Sequence, residues 1–155
     1  MRILVISDSH GRNDDVKGVL EQVGEIDMLI HCGDVERGDQ YIRDIAGCPV
    51  VMVAGNNDYY LDLPSEETIE VEGYRIWVTH GHPYYVNSGV DYLREYGEMH
   101  DVDVVMYGHT HVPFIEIGDD MTILNPGSIS YPRQAGRKPN GDRRYGRGSL
   151  CPWIL

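Results

Sequence analysis

The stretch Tyr107-Gly108-His109-Thr110-His111 follows an apolar run, Asp103-Val104-Val105-Met106, that is typical of a buried strand giving way to a loop. Two histidines two residues apart point the same way on an extended chain, so both rings can face one ligand. The pair alone is weak evidence, because histidines on an exposed strand edge often have no role. Four other places repeat the form, in which an apolar run is followed by Gly or Ser and then by Asp, Asn or His. We therefore predict that five strand ends converge on one metal centre.

The four other strand ends carry the polar blocks Asp8-Ser9-His10, Gly33-Asp34, Gly55-Asn56-Asn57-Asp58 and Thr79-His80-Gly81-His82. Apolar runs over residues 2–7, 27–31 and 50–53 lead into the first three blocks. Helical spacing follows Asn13, which we expect to cap the first helix, and a second helix is predicted over residues 39–45. This β-helix-β-helix-β opening predicts a parallel sheet with right-handed crossovers. Ligands of such sheets bind beyond the carboxyl ends of the strands, where these blocks fall.

In the second half of the chain, the sequence pattern predicts two hairpins and one further helix. The hairpins are expected over residues 68–78 and 114–124, with a strand over residues 102–107 between them. Asn87 or Ser88 is expected to cap the helix that separates the first hairpin from this strand. The expected fold class is therefore α/β, with two packed sheets and helices outside.

The domain organisation follows from where the apolar periodicity stops. The chain has 155 residues, of which 41% are hydrophobic, and this suits one domain with a sizeable core. We expect that domain over residues 1–136. For residues 137–155 we predict an irregular basic tail that is either disordered or adds a short edge strand over residues 150–155. Whether the C-terminal strands of the domain form is left open.

The net charge of −12 argues against nucleic acid and anionic membranes as partners. No run approaches the ~18 apolar residues of a membrane span, and the first strand begins too early for a signal peptide, so a cytoplasmic location is expected. Cys32, Cys48 and Cys151 have no metal-binding spacing and are expected to be reduced thiols. An acidic chain can still bind a phosphate ester where divalent cations reverse the local charge.

The blocks offer oxygen and imidazole donors and no thiolate, which suits Mn²⁺, Fe²⁺ or Zn²⁺ better than a structural zinc site. The candidate metal ligands are Asp8, His10, Asp34, Asn56, His80, His109 and His111. Seven side chains are too many for one tetrahedral ion, and they suit two ions that share a bridging carboxylate. Two ions ~3.5–4 Å apart serve in-line phosphoryl displacement. We predict two divalent ions, with Mn²⁺ favoured and Fe, Zn or Ni as alternatives.

Each ligand also has an ordinary structural interpretation when it is taken singly. Asp8 could cap a helix, Asn56 could be a turn residue, and His80 could be a satisfied core histidine. These separate interpretations do not explain why all of the candidate ligands fall at successive strand ends. Six of the seven histidines lie in or beside the blocks, and His100 lies elsewhere.

In order and spacing, the five blocks resemble the signature of the calcineurin-like metallophosphoesterase superfamily. They are most similar to its small single-domain phosphodiesterases of the YfcE type, for which Asn125-Pro126-Gly127-Ser128 is also typical. The resemblance covers roughly residues 1–133. It implies a four-layer α/β/β/α sandwich and a metal-dependent phosphodiesterase that acts on small phosphodiesters or phosphate esters. It also implies that a hydroxide bridging the two ions attacks phosphorus in line.

The same resemblance divides the ligands between two ions. It assigns one ion to Asp8, His10, Asp34 and His111, and the other to Asp34, Asn56, His80 and His109. Asp34 would then bridge the pair. The Asn56 amide would also stabilise charge on the non-bridging phosphoryl oxygens.

One position departs from the pattern of many family members. Asn57 stands where they have a histidine that contacts the phosphate or protonates the leaving group. An amide can donate a hydrogen bond to the substrate but cannot usefully deliver a proton at pH 7. His82 could take over part of that role, or it could only line the cleft. Asn56, Asn57 and His82 are therefore the candidate substrate-binding and catalytic side chains, together with Asp34, and diesters with good leaving groups are the expected substrates.

Two further functions compete with the phosphodiesterase. One is a non-catalytic protein-binding scaffold on the same fold, as in the retromer subunit that resembles this family. The other is a nuclease, which would need a basic groove that the chain lacks outside its tail. Assembly into a homo-oligomer is left open.

Overall fold

Two β-sheets pack face to face with helices on their outer sides in the computed structural model, which describes residues 1–133 and the backbone of residues 153–154. The strands are β1 (Ile3–Ile6), β2 (Met28–His31), β3 (Val50–Met52), β4 (Glu66–Val71), β5 (Tyr74–Thr79), β6 (Val104–Met106), β7 (Phe114–Ile117), β8 (Thr122–Asn125) and β9 (Trp153–Ile154). The helices are α1 (Asn13–Val23), α2 (Asp39–Ala46) and α3 (Asp91–Met99), with a 3₁₀ turn at His82–Tyr84.

The first sheet has the strand order β3-β2-β1-β9, and β1, β2 and β3 run parallel as the opening pattern predicts. Its register pairs Ile6 with His31 and His31 with Met52, so the three polar blocks leave the sheet at one edge. The short strand β9 lies antiparallel beside β1. The rest of the basic tail that we predict over residues 137–155 lies outside the described residues.

The second sheet has the order β4-β5-β6-β8-β7. Its three inner strands β5, β6 and β8 run parallel, and the two predicted hairpins, β4/β5 and β7/β8, are antiparallel. Because β5 and β6 are parallel neighbours, the blocks that contain His80 and His109 leave this sheet side by side.

Three apolar clusters define four layers. Strand β1 shows the pattern, because Ile3 and Val5 face the second sheet while Leu4 and Ile6 face helices α1 and α2, as expected for a strand buried on both faces. On the far side, α3 packs through Leu93 against the outer face of the second sheet. The layers are therefore helices, sheet, sheet and helix, and the predicted α/β/β/α sandwich is confirmed.

The predicted helix caps are wrong. Helix α1 begins at Asn13 itself, with Arg12 at the N-cap position, and α3 begins at Asp91 after Val90; neither start has a side-chain cap within the described residues. Asn87 instead contacts the ring of His109 from the loop that follows the 3₁₀ turn. A competing tertiary contact explains the failure at Asn87, whereas the side-chain oxygen of Asn13 is buried without a partner among the described residues.

Candidate metal centre

The polar blocks of both sheets meet at one end of the sandwich. After β1 and β2, the N–H of Asp8 donates to the carbonyl of Gly33 at 3.0 Å, and the N–H of His10 donates to the carbonyl of Asp34 at 2.9 Å. The two sheets are joined here as well, because the N–H of His109 donates to Asp8 Oδ2 at 3.1 Å. The convergence of strand ends that the sequence predicts is therefore present.

Two groups of side chains come within ligand distance of a common point. One group is Asp8, His10 and His111, and the other is Asp8, Asp34 and His80; the potential ligand atoms of each group lie within 4.8 Å of one another. Asp8, which the family pattern places on one ion, belongs to both groups. Asp34 is a member of the second group, in which its Oδ2 is 3.5 Å from His80 Nε2. It also lies close to the first group, because the same oxygen is 3.9 Å from His10 Nε2.

Three of the histidine rings are oriented in the same way by oxygen atoms behind them. The Nδ1 atoms of His10, His80 and His111 contact Glu36 Oε1 at 2.7 Å, the Cys32 carbonyl at 2.7 Å and the Tyr131 carbonyl at 3.0 Å, respectively. Each of these oxygens accepts, so each Nδ1 carries the proton and each Nε2 has a free lone pair. Metal-binding histidines are held in this way, with the far nitrogen donating to an oxygen.

Two inner atoms of the cluster lack hydrogen-bond partners in the described part of the chain, and two others, His10 Nε2 and His111 Nε2, face each other at 3.1 Å. His80 Nε2 and Asp8 Oδ1 are buried and unpartnered among the described residues. His111 Nε2 lies 3.2 Å from Asp8 Oδ1, so a lone pair and a carboxylate oxygen face each other. Such an arrangement is unfavourable unless a cation lies between the acceptors. The donor set is oxygen and imidazole, and it therefore fits a divalent metal ion.

The ionisation of the carboxylates agrees with a cation site. Burial opposes the charge on Asp34, yet the neighbouring His80 ring and the N–H of Asn57 hold the pKa of this carboxyl well below its ordinary value. Burial also opposes the charge on Asp8, but His111 and His80 keep its pKa low. His80 shows the reciprocal effect, because Asp34 and Asp8 raise its pKa in spite of burial. The buried carboxylates thus remain anionic and attract positive charge.

Backbone conformations at the site are unusual. Five candidate ligands have the positive φ angles that side chains other than glycine seldom adopt: Asp8 (54°), His10 (47°), Asp34 (54°), His109 (68°) and His111 (61°). Each lies just after a strand, where a left-handed residue turns the chain sharply and brings its side chain inward. Such conformations persist where the surrounding structure enforces them, and they cluster at functional sites.

Glycines in the blocks leave room for the ligands. A Cβ at Gly55 would overlap the carboxylate of Asp34, and a Cβ at Gly108 would overlap Ser7 Oγ and lie 2.8 Å from Asp8 Oδ2. The close approach of the backbone to the carboxylates explains the Gly that precedes the ligand in these blocks.

Asn56 and His109 lie next to the two groups but are bonded to each other. His109 Nδ1 donates to Asn56 Oδ1 at 2.9 Å, and His109 Nε2 accepts from Asn87 Nδ2 at 3.0 Å. The His109 ring centroid is 5.2 Å from that of His80. His109 is in neither ligand group, and amide partners occupy both of its ring nitrogens.

The structure separates the two candidates for contact with the leaving group. Asn57 donates to both oxygens of Asp34, from its side chain at 2.8 Å and from its backbone at 2.9 Å. His82 is exposed, with its ring centroid 5.5 Å from that of His80. Partial desolvation of the ring and the neighbouring His80 lower the pKa of His82, so its neutral form dominates at pH 7. Asn57 is thus directed at Asp34, whereas His82 lies at the rim of the cluster.

Asp58 joins the loops of the site, a role that the sequence analysis missed. Its carboxylate is buried and accepts from the backbone N–H groups of Val35, Glu36 and Gly55 at 2.8–3.0 Å. It therefore joins the loop after β2 to the loop after β3. Its position inside the Gly55-Asn56-Asn57-Asp58 block was the available signal.

Two side chains of the Asn-Pro-Gly-Ser segment support the site from the second sheet. Asn125 Nδ2 donates to the carbonyl of Gly108 at 2.8 Å, and Ser128 Oγ donates to the carbonyl of Asp8 at 2.8 Å. Both side chains are buried. A cleft of about 630 Å³ opens beside them, lined by His10, His111, Glu36, Tyr131 and Arg133 among others.

A four-layer sandwich with a carboxylate–histidine cluster at its strand ends is the framework of a metal-dependent phosphoesterase. The Calcineurin-like phosphoesterase superfamily domain matches residues 1–140, and the chain belongs to this superfamily. The family membership predicted from the five blocks is thereby confirmed.

Relatives in the superfamily carry phosphoesterase names. The chain is 41% identical to a probable metallophosphoesterase of Methanocaldococcus jannaschii, in an alignment that covers 86% of this chain and 70% of the relative. It is 27% identical to the phosphodiesterase YfcE of Escherichia coli, over 86% of this chain and 82% of YfcE. The predicted similarity to YfcE-type proteins is confirmed.

Solved structures of the same fold include both enzymes and sorting proteins. A predicted phosphoesterase of Streptococcus pneumoniae superimposes with a TM-score of 0.75 at 34% identity, covering 86% of this chain and 76% of that one. Vps29 of Entamoeba histolytica, solved in complex with Zn²⁺, superimposes with a TM-score of 0.72 at 26% identity, covering 89% and 80%. No helix in residues 1–133 is both long and apolar enough to span a membrane.

Proposed function

We propose that this protein is a metal-dependent phosphodiesterase that hydrolyses small phosphodiesters. The observation that carries the proposal is a pair of buried, unpartnered acceptor atoms. His80 Nε2 and Asp8 Oδ1 lie 4.0 Å apart with no hydrogen-bond donor between them among the described residues. Membership of a phosphoesterase superfamily with relatives named phosphodiesterases supports the reaction class.

Two ions would be held by the ligands that the family pattern assigns. The first would use Asp8, His10, Asp34 and His111, and the second would use Asp34, Asn56, His80 and His109. When bound, divalent ions supply a water-derived nucleophile at neutral pH and neutralise charge on the phosphoryl oxygens. We propose Mn²⁺ as the resident ion, with Fe, Zn or Ni as alternatives, and elemental analysis of the purified protein measures this directly.

The side chains of the chain itself contribute orientation and charge. Asp34 lies between the two groups, and the Asn57 amide fixes both of its oxygens, so Asn57 holds the proposed bridging ligand in place. The Nδ2 group of Asn56 takes no part in the bond with His109 and could donate to a phosphoryl oxygen, whereas its Oδ1 would need to release His109 to bind an ion. In these two contacts Asn56 would serve as a ligand of the second ion and stabilise charge on the phosphoryl group.

Leaving groups that need no proton should be the best substrates. Asn57 is engaged with Asp34 and cannot usefully deliver a proton, and the lowered pKa of His82 at the rim leaves only a minor fraction of this side chain protonated at pH 7. Activated diesters with aryl leaving groups therefore suit this site better than alkyl esters.

The test of the proposal is Mn²⁺-dependent hydrolysis of bis-p-nitrophenyl phosphate. A chelator should abolish turnover, and Asp34→Asn should lower kcat/KM by about 10³-fold, because it removes the charge shared by both ions. Asp44→Asn on the exposed side of α2 removes the same charge away from the site and should retain activity. Wild-type turnover that survives Asp34→Asn would contradict the proposal.

A non-catalytic scaffold is the second candidate function, favoured by the likeness to Vps29, a vacuolar sorting protein by name. Metal binding by itself does not separate the two functions, because a Vps29 was solved with Zn²⁺ bound. Turnover does separate them. A protein that binds metal and hydrolyses neither diesters nor monoesters would favour the scaffold.

A further inference from the structure

Glu36 differs from the other groups that orient the histidines. His80 and His111 donate to backbone carbonyls, whereas His10 donates to the side-chain carboxylate of Glu36 at 2.7 Å. The Glu36 side chain is 37% exposed, so this contact lies at the mouth of the cluster. Among the rings of the two ligand groups, His10 is therefore the one whose orientation depends on a side chain.

The backbone of Glu36 is held for this contact. Its N–H donates to Asp58 Oδ1 at 2.8 Å, and the N–H of the preceding residue, Val35, donates to Asp58 Oδ2 at 3.0 Å. Glu36 and Arg37 both adopt positive φ angles, 47° and 65°. Two successive left-handed residues other than glycine are maintained here by a buried anchor, as is typical of functional positions.

We infer that Glu36 is a positioning residue for the ion that His10 would bind. Its carboxylate fixes the Nδ1–H tautomer and the orientation of the His10 ring, so that the lone pair of Nε2 is directed at the cluster. The inference rests on the proposed function, in that it takes His10 to be a ligand. Glu36 lies two residues beyond Asp34, outside the Gly33-Asp34 block.

Two substitutions separate the parts of this role. Glu36→Gln keeps an oxygen that can accept from Nδ1 but removes the charge, whereas Glu36→Ala removes both and leaves the ring free to turn. We expect Glu36→Ala to weaken one of the two Mn²⁺ binding steps by about 10–100-fold, the usual effect of losing such a partner. Glu36→Gln should have a smaller effect on the same step, and the other step should change little.

The experiment is a chelator-competition titration of Mn²⁺ binding to the full chain. Its control is Glu98→Gln, which removes one negative charge from the exposed side of α3 and should bind Mn²⁺ as the wild type does. Thermal unfolding of each metal-free variant identifies any that fail to fold.

A double-mutant cycle with His10 gives the decisive comparison. If Glu36 acts through His10, Glu36→Ala should have no further effect on affinity in a His10→Ala background. An equal loss in both backgrounds would overturn the inference in favour of a long-range charge effect, and so would wild-type affinity in Glu36→Ala alone. Diester hydrolysis is measured in a separate assay. A wild-type protein that binds Mn²⁺ but hydrolyses no diester would refute the proposed function. The role of Glu36 would still be tested by the Mn²⁺ affinities of the variants.

Discussion

Gly108 is where the chain passes closest to the candidate ligands. A Cβ at this position would overlap Ser7 Oγ and approach Asp8 Oδ2 to 2.8 Å, so any side chain must push Asp8 out of place. The neighbouring strand end is tied down on the other side, because Asn125 holds the Gly108 carbonyl at 2.8 Å. The site therefore has little room to relax.

We predict that Gly108→Ala lowers the free energy of unfolding by about 1–3 kcal/mol, the usual effect of overpacking, and also weakens Mn²⁺ binding. Gly18→Ala is the matched control, because Gly18 lies within α1 with no atom within 4 Å of the added Cβ and should stabilise the protein by about 0.5–1 kcal/mol. Urea denaturation measures both variants. If Gly108→Ala is as stable as the wild type, the loop can relax around the added Cβ, and the claim of a tightly packed site is contradicted.

At the scale of elements, the loops after β2 and β3 form one unit because Asp58 links them. Three buried or half-buried N–H groups, on Val35, Glu36 and Gly55, share its two oxygens. Since Asp34 and Asn56 lie in these same loops, their relative position depends on this carboxylate. Asp58 thus holds together ligands that come from different strands.

Removing this link should be more harmful than removing an exposed charge. We predict that Asp58→Ala lowers the free energy of unfolding by about 3 kcal/mol or more, because several backbone donors lose their partner in the interior. Asp58→Asn, which keeps one acceptor oxygen, should lose less. Chemical denaturation of both variants tests the order, and an Asp58→Ala protein as stable as the wild type would contradict the role of this side chain.

The elements were predictable because their signals are local. Apolar runs such as the one in β1 and the alternation of strands with helices indicate a parallel sheet directly, and polar residues at strand ends indicate where a site lies. The cap at Asn87 was mispredicted because this side chain finds a tertiary partner, His109. The Nδ1 partners and left-handed turns could not be predicted, since contacts such as His111 with the Tyr131 carbonyl depend on how distant loops pack.

At the scale of the whole molecule, the two sheets supply different parts of the site. Asp8 and Asp34 come from the first sheet, whereas His80 and His111 come from the second. The candidate metal ligands therefore come together only when the two sheets pack against each other. Under the proposed function, cations bound at this junction would make a chain of net charge −12 locally attractive to a phosphodiester anion.

The central claim, that two ions act together in a phosphodiesterase, is tested most directly by titrating Mn²⁺ into the metal-free protein while hydrolysis of bis-p-nitrophenyl phosphate and bound metal are both followed. We predict that turnover remains low through the first equivalent and reaches its plateau at about two ions per chain. In His111→Ala and His109→Ala, binding should stop near one ion and turnover should stay low. A plateau of activity at one ion per chain, or two bound ions without turnover, would contradict the account.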